Sequence, residues 1–135
     1  MTTNDQVKYI EGIGRRKSAT ARVRITPSNK SKFTINDKPI NEYFKIESLI
    51  ISATKAISTD FPSDTYSISA RVSGGGINSQ ADAIKLGLAR AIIKHKPDIR
   101  KEIKKAKLLK RDPREVERKM FGKKKSRKSP QWSKR

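Results

Sequence analysis

Residues 66–92, YSISARVSGGGINSQADAIKLGLARAI, decide how this chain folds. Tyr66, Ile68, Ala70 and Val72 alternate with Ser67, Ser69 and Arg71, the period-two pattern of a strand with one buried face. Three glycines, Gly74, Gly75 and Gly76, end that pattern. Beyond them Ile84, Leu88, Ala91 and Ile92 recur at three- and four-residue intervals, which predicts a helix from Gln80 to about His95 with an apolar stripe. Ser79 stands at the N-cap position with Asp82 three residues on, the spacing of a capping box. Gly87 interrupts the stripe and predicts the close approach of another backbone. A strand feeding through glycines into an amphipathic helix predicts a sheet covered by helices.

A helix start behind glycines also favours anions, because free backbone N–H groups and the positive helix end point the same way. No Gly-Lys-Ser/Thr follows, and the spacing is not G-x-G-x-x-G, so the stretch is neither a P-loop nor a dinucleotide fingerprint. Two readings stay open at this point: a phosphate held at Gly74, Gly75 and Gly76, or glycines that serve only a tight connection and close helix-to-sheet packing.

Upstream, residues 7–11 read as a short strand that stops at Gly12-Ile13-Gly14, where a tight turn or close approach to a ligand is expected. Arg15, Arg16 and Lys17 follow at once. Ala19, Ala21, Val23 and Ile25 then alternate with Thr20, Arg22 and Arg24, giving a half-buried strand with a basic outer face. A solvated face would explain the charge alone, but five cations within ten residues beside a glycine turn favour phosphate contact. Pro27-Ser28-Asn29 turns the chain, and Phe33 with Ile35 restarts the alternation, which predicts a hairpin between these two strands. Asn36 to Pro39 turns again. Asn41 is placed to cap a short helical turn, and Ile46, Leu49, Ile50, Ala53 and Ile57 fall on one face of a helix that ends at Phe61-Pro62-Ser63-Asp64.

Downstream, Pro97 opens a second amphipathic helix with Ile99, Ile103 and Ala106 inward. Beyond Leu109 the core pattern ends. The chain therefore divides into a globular α+β part, residues 1–109, with four or five short strands, and a basic tail, residues 110–135. Residues 118–135 hold nine Lys or Arg and no Asp or Glu. After Met120 and Phe121 their only large apolar group is Trp132, too little to offset the entropy of ordering, so an arm extended until a partner fixes it is expected.

The partner must be a polyanion. Across 135 residues, 33 basic groups against 13 acidic ones give a net charge of +20, which repels itself in a free globule unless phosphates neutralise it. Aromatic residues are only 6% of the chain, so phosphate contact outweighs base stacking. The chain has no cysteine and one histidine, His95, which excludes a disulfide frame, a thiolate metal site and a Cys nucleophile, and leaves His95 as a solvated helix-end residue. No cofactor is expected. No apolar run of membrane length occurs, and residues 1–8 are polar with no cleavable targeting pattern. Sixteen isoleucines against five leucines, with lysine above arginine, hint at an AT-rich genome.

With these stretches in hand, the chain resembles the family of the universal ninth protein of the small ribosomal subunit, in its bacterial and organellar form. Gly14-Arg15-Arg16-Lys17-Ser18 with Ala21-Arg22-Val23 is similar to that family's N-terminal signature, and residues 74–92 to its central one. Residues 111–119, RDPREVERK, and residues 130–135, PQWSKR, are similar to its tail. Ser79 stands where many members have glycine, and Trp132 where phenylalanine or tyrosine is frequent.

The resemblance implies a compact two-layer α+β domain, a mixed sheet of four to five strands packed with helices, like the second domain of the fifth small-subunit protein. It implies a structural role without catalysis in the subunit head. The residues expected on ribosomal RNA are Arg15, Arg16, Lys17, Arg22, Arg24, Gly74, Gly75, Gly76, Gln80, Arg111, Arg114, Arg118, Lys119, Lys123, Lys124, Lys125, Arg127 and Lys128. Ser133, Lys134 and Arg135 are expected on the anticodon arm of peptidyl-site transfer RNA, with Trp132 stacking nearby. The tenth and fourteenth small-subunit proteins are implied neighbours, and the compartment is bacterial cytoplasm or an organelle interior, a plastid first among organelles. The competing expectation is a free nucleic-acid chaperone or histone-like DNA/RNA binder. A phosphate-binding enzyme lacks a base, since Asp82 is assigned to the helix cap.

Overall fold

The computed structural model describes residues 9–58 and 65–134. The expectations for residues 7–8, for the helix break at Phe61-Pro62-Ser63-Asp64 and for Arg135 lie outside them. In chain order the elements are β1 (Ile10–Arg16), β2 (Ala19–Pro27), β3 (Lys32–Ile35), β4 (Lys38–Pro39), α1 (Ile40–Tyr43), α2 (Glu47–Ser58), β5 (Tyr66–Ser73), α3 (Ile77–His95), a 3-10 turn (Pro97–Ile99) and α4 (Arg100–Lys105). The five strands form one mixed sheet in the order β1-β2-β5-β3-β4. Pairing is antiparallel except between β3 and β5, which run parallel.

The alternation predicted for β2 and β5 is met: Ala19, Ala21, Val23 and Ile25 are buried on β2, and Ile68, Ala70 and Val72 on β5. They meet Ile84, Leu88, Ala91 and Ile92 of α3, as the helical spacing predicts, with Ile35, Phe44 and Ile103 also fully enclosed. Burying each of these larger aliphatic or aromatic groups contributes roughly 1.5–3 kcal/mol. Pro97 starts the 3-10 turn that leads into α4, and Ile99 and Ala106 pack against the core as expected.

Several expectations are corrected. β1 does not stop at Gly12 but runs through Gly14 to Arg16, and these glycines serve packing within the protein. A Cβ on Gly12 would lie 2.2 Å from the carbonyl oxygen of Gly87, and one on Gly14 1.8 Å from that of Ala83. Gly87 thus has the role its position predicts, letting α3 lie directly on β1. The hairpin is β1–β2, closed by Lys17-Ser18 with Lys17 at φ 49, not β2–β3. β5 inserts between β2 and β3, because it pairs with both and carries a buried face that needs the centre of the sheet. Asn36 and Asp37, at φ 47 and 66, make the expected turn into β4.

In the helices, Asn41 lies inside α1, whose N-cap is Pro39. Ile46 and Ile57 are 58% and 37% exposed, so the buried face of α2 is Ala53 and Ala56 with Leu49 and Ile50 beside them. Helix α3 starts a turn early, with Gly76 at the N-cap, which leaves Ser79 buried within the helix and frees Asp82 from any capping role. His95 is half-buried edge-on against Tyr66, ring centres 5.7 Å apart, and is not the solvated residue expected.

Candidate nucleic-acid interface

With β2's small and branched side chains turned to the helices, strict alternation places Arg22 and Arg24 on the opposite, exposed face. Arg15 joins them from β1, and Lys17 is exposed at the hairpin turn. Arg24 is not free: its Nε donates to Glu11 Oε2 at 2.9 Å and its guanidinium lies 4.4 Å from the Tyr9 ring centre. The hydrogen bond to Glu11, then the charge interaction with Tyr9, raise its pKa above the ordinary arginine value. Arg15, Lys17 and Arg22 have no ion-pair partner among the described residues.

Arg16 goes elsewhere. It shares the inward parity of Gly12 and Gly14, and its side chain is only 17% exposed. Nη1 lies 2.9 Å from Asp112 Oδ2 and Nε 3.6 Å from Asp82 Oδ2, while Nη1 also donates to the carbonyl oxygens of Asp112 and Arg114. Asp82 is completed by Lys85 at 2.8 Å. Arg114 closes the cluster from the other side, donating Nε and Nη2 to the Asp112 carboxylate at 3.0 and 2.7 Å. Hydrogen bonding from Arg114, with smaller contributions from the Arg114 and Arg16 charges, holds the Asp112 carboxyl far below the usual carboxylate range. Of the cations expected on RNA, Arg16 therefore ties residues 112–114 to β1, and Arg114 completes the pairing of the Asp112 carboxylate.

At the glycine loop, Gly74 and Gly75 have φ +75 and +61, a region that side-chain-bearing residues rarely enter, and both press on the hairpin at Ser18 and Ala19. Gly76 has nothing within 4 Å of its Cβ position, so space is open directly at the start of α3. Gln80 braces the loop: Nε2 donates to the Gly74 carbonyl at 3.0 Å and Oε1 accepts from the Tyr43 hydroxyl at 2.7 Å. Tight connection and open helix start are thus both present, on different glycines.

From residue 106 to 134 the described chain has neither helix nor strand. Arg111 approaches Glu115 at 4.0 Å. Glu117 accepts both Nε and Nη2 of Arg127, at 2.9 and 2.7 Å, and its carbonyl accepts from Ser126 Oγ, so residues 117–127 close into a loop. That contact raises the Arg127 pKa. Lys123 donates to Ser129 Oγ at 2.6 Å, and the Lys124 amide to the Lys128 carbonyl at 2.7 Å. Arg118, Lys119, Lys125 and Lys128 are exposed, as are Ser133 and Lys134, and Trp132 is 79% exposed.

Three contributions went unread in the sequence. Asp112 is the hub of the tail root, and no local pattern links it to a strand 96 residues away. Arg90 and Lys94 of α3 donate to the carbonyls of Ile13 and Glu11, at 2.8 Å each, covering the open edge of β1. Arg71 stands on the outer face of β5, where its alternation already places it; what the sequence lacks is its position directly opposite Arg22.

A family model described as Ribosomal protein S9/S16 matches residues 14–135. The chain is also 46% identical over 125 residues to the small ribosomal subunit protein uS9 of Synechococcus sp. (strain JA-3-3Ab), an alignment covering 92% of this chain and 90% of that protein.

Proposed function

Because the chain belongs to the S9/S16 family of ribosomal proteins, we propose that it is a structural constituent of the small-subunit head that holds ribosomal RNA by phosphate contact and has no catalytic role. The observation that supports this most directly is the segregation of charge. Arg15, Lys17 and Arg22 leave one face of the sheet and its hairpin basic, with no ion-pair partner among the described residues, while the helices and core lie behind. Lys and Arg at such a face position an RNA backbone without reading its sequence.

Residues 1–109 are the anchoring domain in this reading, and residues 110–135 the arm. Gly76 offers its open helix start to a phosphate, with Gly74, Gly75 and Gln80 shaping the loop behind it. Arg24 and Arg111 reach RNA after exchanging their carboxylate partners for phosphates, as do Arg114 and Arg127; Arg16 contributes indirectly, by setting where the arm leaves the domain. Arg118, Lys119, Lys123, Lys124, Lys125 and Lys128 carry the arm between RNA helices. Its end, Ser133, Lys134 and Arg135, meets the anticodon arm of peptidyl-site transfer RNA, with Trp132 stacked beside it. The tenth and fourteenth small-subunit proteins are the expected neighbours. The compartment is bacterial cytoplasm or an organelle interior, with a plastid first among the organelles to examine.

Co-sedimentation of the tagged chain through a sucrose gradient of its own cell lysate tests the reading. Stoichiometric migration with small subunits, abolished by ribonuclease, is the expected result. A chain that runs free or spreads over bulk DNA would overturn it in favour of a general nucleic-acid chaperone.

A further inference from the structure

Arg71 of β5 lies directly across from Arg22 of β2 in the antiparallel register, and both side chains are exposed on the face away from the helices. Like charges placed opposite one another in a sheet repel. Among the described residues neither guanidinium has a carboxylate partner, whereas Arg24, two positions along the same strand, is paired with Glu11. The adjacent pair, Thr20 and Ser73, brings two hydroxyls to the same face. Asn36 closes a further side: its Nδ2 donates to the Val72 carbonyl at 3.0 Å and its Oδ1 accepts the Val72 N–H at 2.9 Å, so its side chain acts as one more rung of the ladder. These groups surround a shallow pocket of about 290 Å³.

The chemistry of that pocket is one-sided. Guanidinium groups only donate, hydroxyls can donate, and no acidic group among the described residues lines it. Two forks converging from neighbouring strands fit a tetrahedral oxyanion, whose charge would also relieve their mutual repulsion. Among the described residues no aromatic ring lines the pocket to stack a base, which favours a backbone phosphate over a free nucleotide. We infer that Arg22 and Arg71 clamp a single phosphodiester of ribosomal RNA between β2 and β5. The inference deepens the RNA-binding reading above and rests on it.

Filter binding of the full chain to a transcript of the small-subunit head RNA, over a series of salt concentrations, tests the clamp. Arg71→Ala and Arg22→Ala are each expected to bind about tenfold more weakly, with a log-log salt slope lower by roughly 0.7–0.9. The double variant should lose little more than either single one, because one phosphate is at stake. Lys101→Ala, which removes one exposed charge from α4, should have a clearly smaller effect. Arg71→Ala should melt no lower than the parent, since it removes a repulsion, so weaker binding would not reflect unfolding. Arg71→Ala that binds like the parent, or a double variant whose slope falls twice as far as the single ones, overturns the clamp and leaves RNA binding standing. A parent chain that fails to bind the transcript overturns the RNA-binding reading, and the clamp with it.

Discussion

Arg16 and Asp112 are joined by a 2.9 Å ion pair although they lie 96 residues apart, one at the end of β1 and the other where the core has ended. Around this pair Asp82, Lys85 and Arg114 alternate in sign, so the cluster is a charge network rather than an isolated bridge. Its effect is directional. By accepting from Arg16, the carbonyls of Asp112 and Arg114 fix the backbone at the point where the basic segment departs.

Arg16→Ala should therefore loosen residues 110–114 without unfolding the domain. The pair is partly buried but still meets solvent, so its loss has a modest effect and trypsin cleavage after Arg111 and Arg114 should accelerate by up to about fivefold. The melting temperature should move little. Cleavage at the parent rate would show that the tail root is held by something other than this network.

Acid should release the same hold, and late. The folded-state pKa of Asp112 is depressed, so its contribution is fully present above the unfolded-state value and disappears as pH falls through the lower folded one. The expected behaviour is a constant tail root from neutral pH down to the ordinary aspartate value of 3.8, with loss only below it. The carboxyl carbon resonance of Asp112, followed by NMR, reports this directly. A midpoint at or above the ordinary value would mean that Arg114 and Arg16 do not hold the carboxylate in solution.

Periodicity revealed β2, β5 and α3 and every buried residue of the two strands, because a half-buried element writes its geometry into adjacent positions; on α3, enclosed on more than one side, it missed Ala81, Ala83, Leu86 and Ala89. What it could not reveal depends on partners distant in sequence. Gly12 and Gly14 look like a turn until α3 is laid against them. Arg16 looks like its neighbour Arg15 until its inward parity on β1 is known, since the two differ only in which face they leave. Asp82 satisfies the spacing of a capping box, yet Gly76 starts the helix earlier and Arg16 and Lys85 claim the carboxylate. The place of β5 between β2 and β3 is likewise a matter of pairing, which alternation within one strand does not encode.

Substitution at two glycines should separate packing from open space. Gly14→Ala puts a methyl group 1.8 Å from the Ala83 carbonyl, a backbone atom that cannot swing away. A destabilisation at the upper end of the ~1–3 kcal/mol typical of overpacking, or beyond it, is expected. The Cβ of Gly76→Ser meets nothing within 4 Å among the described residues and serine is a favourable N-cap, so stability should stay within about 0.5 kcal/mol. Chemical denaturation of both variants measures the contrast, and a stable Gly14→Ala would contradict the contact between β1 and α3.

Removal of residues 133–135 tests whether anchoring and probing are separate tasks. The deletion takes away Lys134 and Arg135 but leaves the hairpin cations, the Arg22 and Arg71 pair and the Arg16–Asp112 network intact. Incorporation into small subunits should persist, because most of the proposed phosphate contacts remain. Transfer RNA binding at the peptidyl site should weaken modestly, within about tenfold, as two cations are lost among many contacts. Subunits lacking the truncated chain would mean that the terminus itself takes part in anchoring, and unchanged transfer RNA affinity would mean that it touches no transfer RNA.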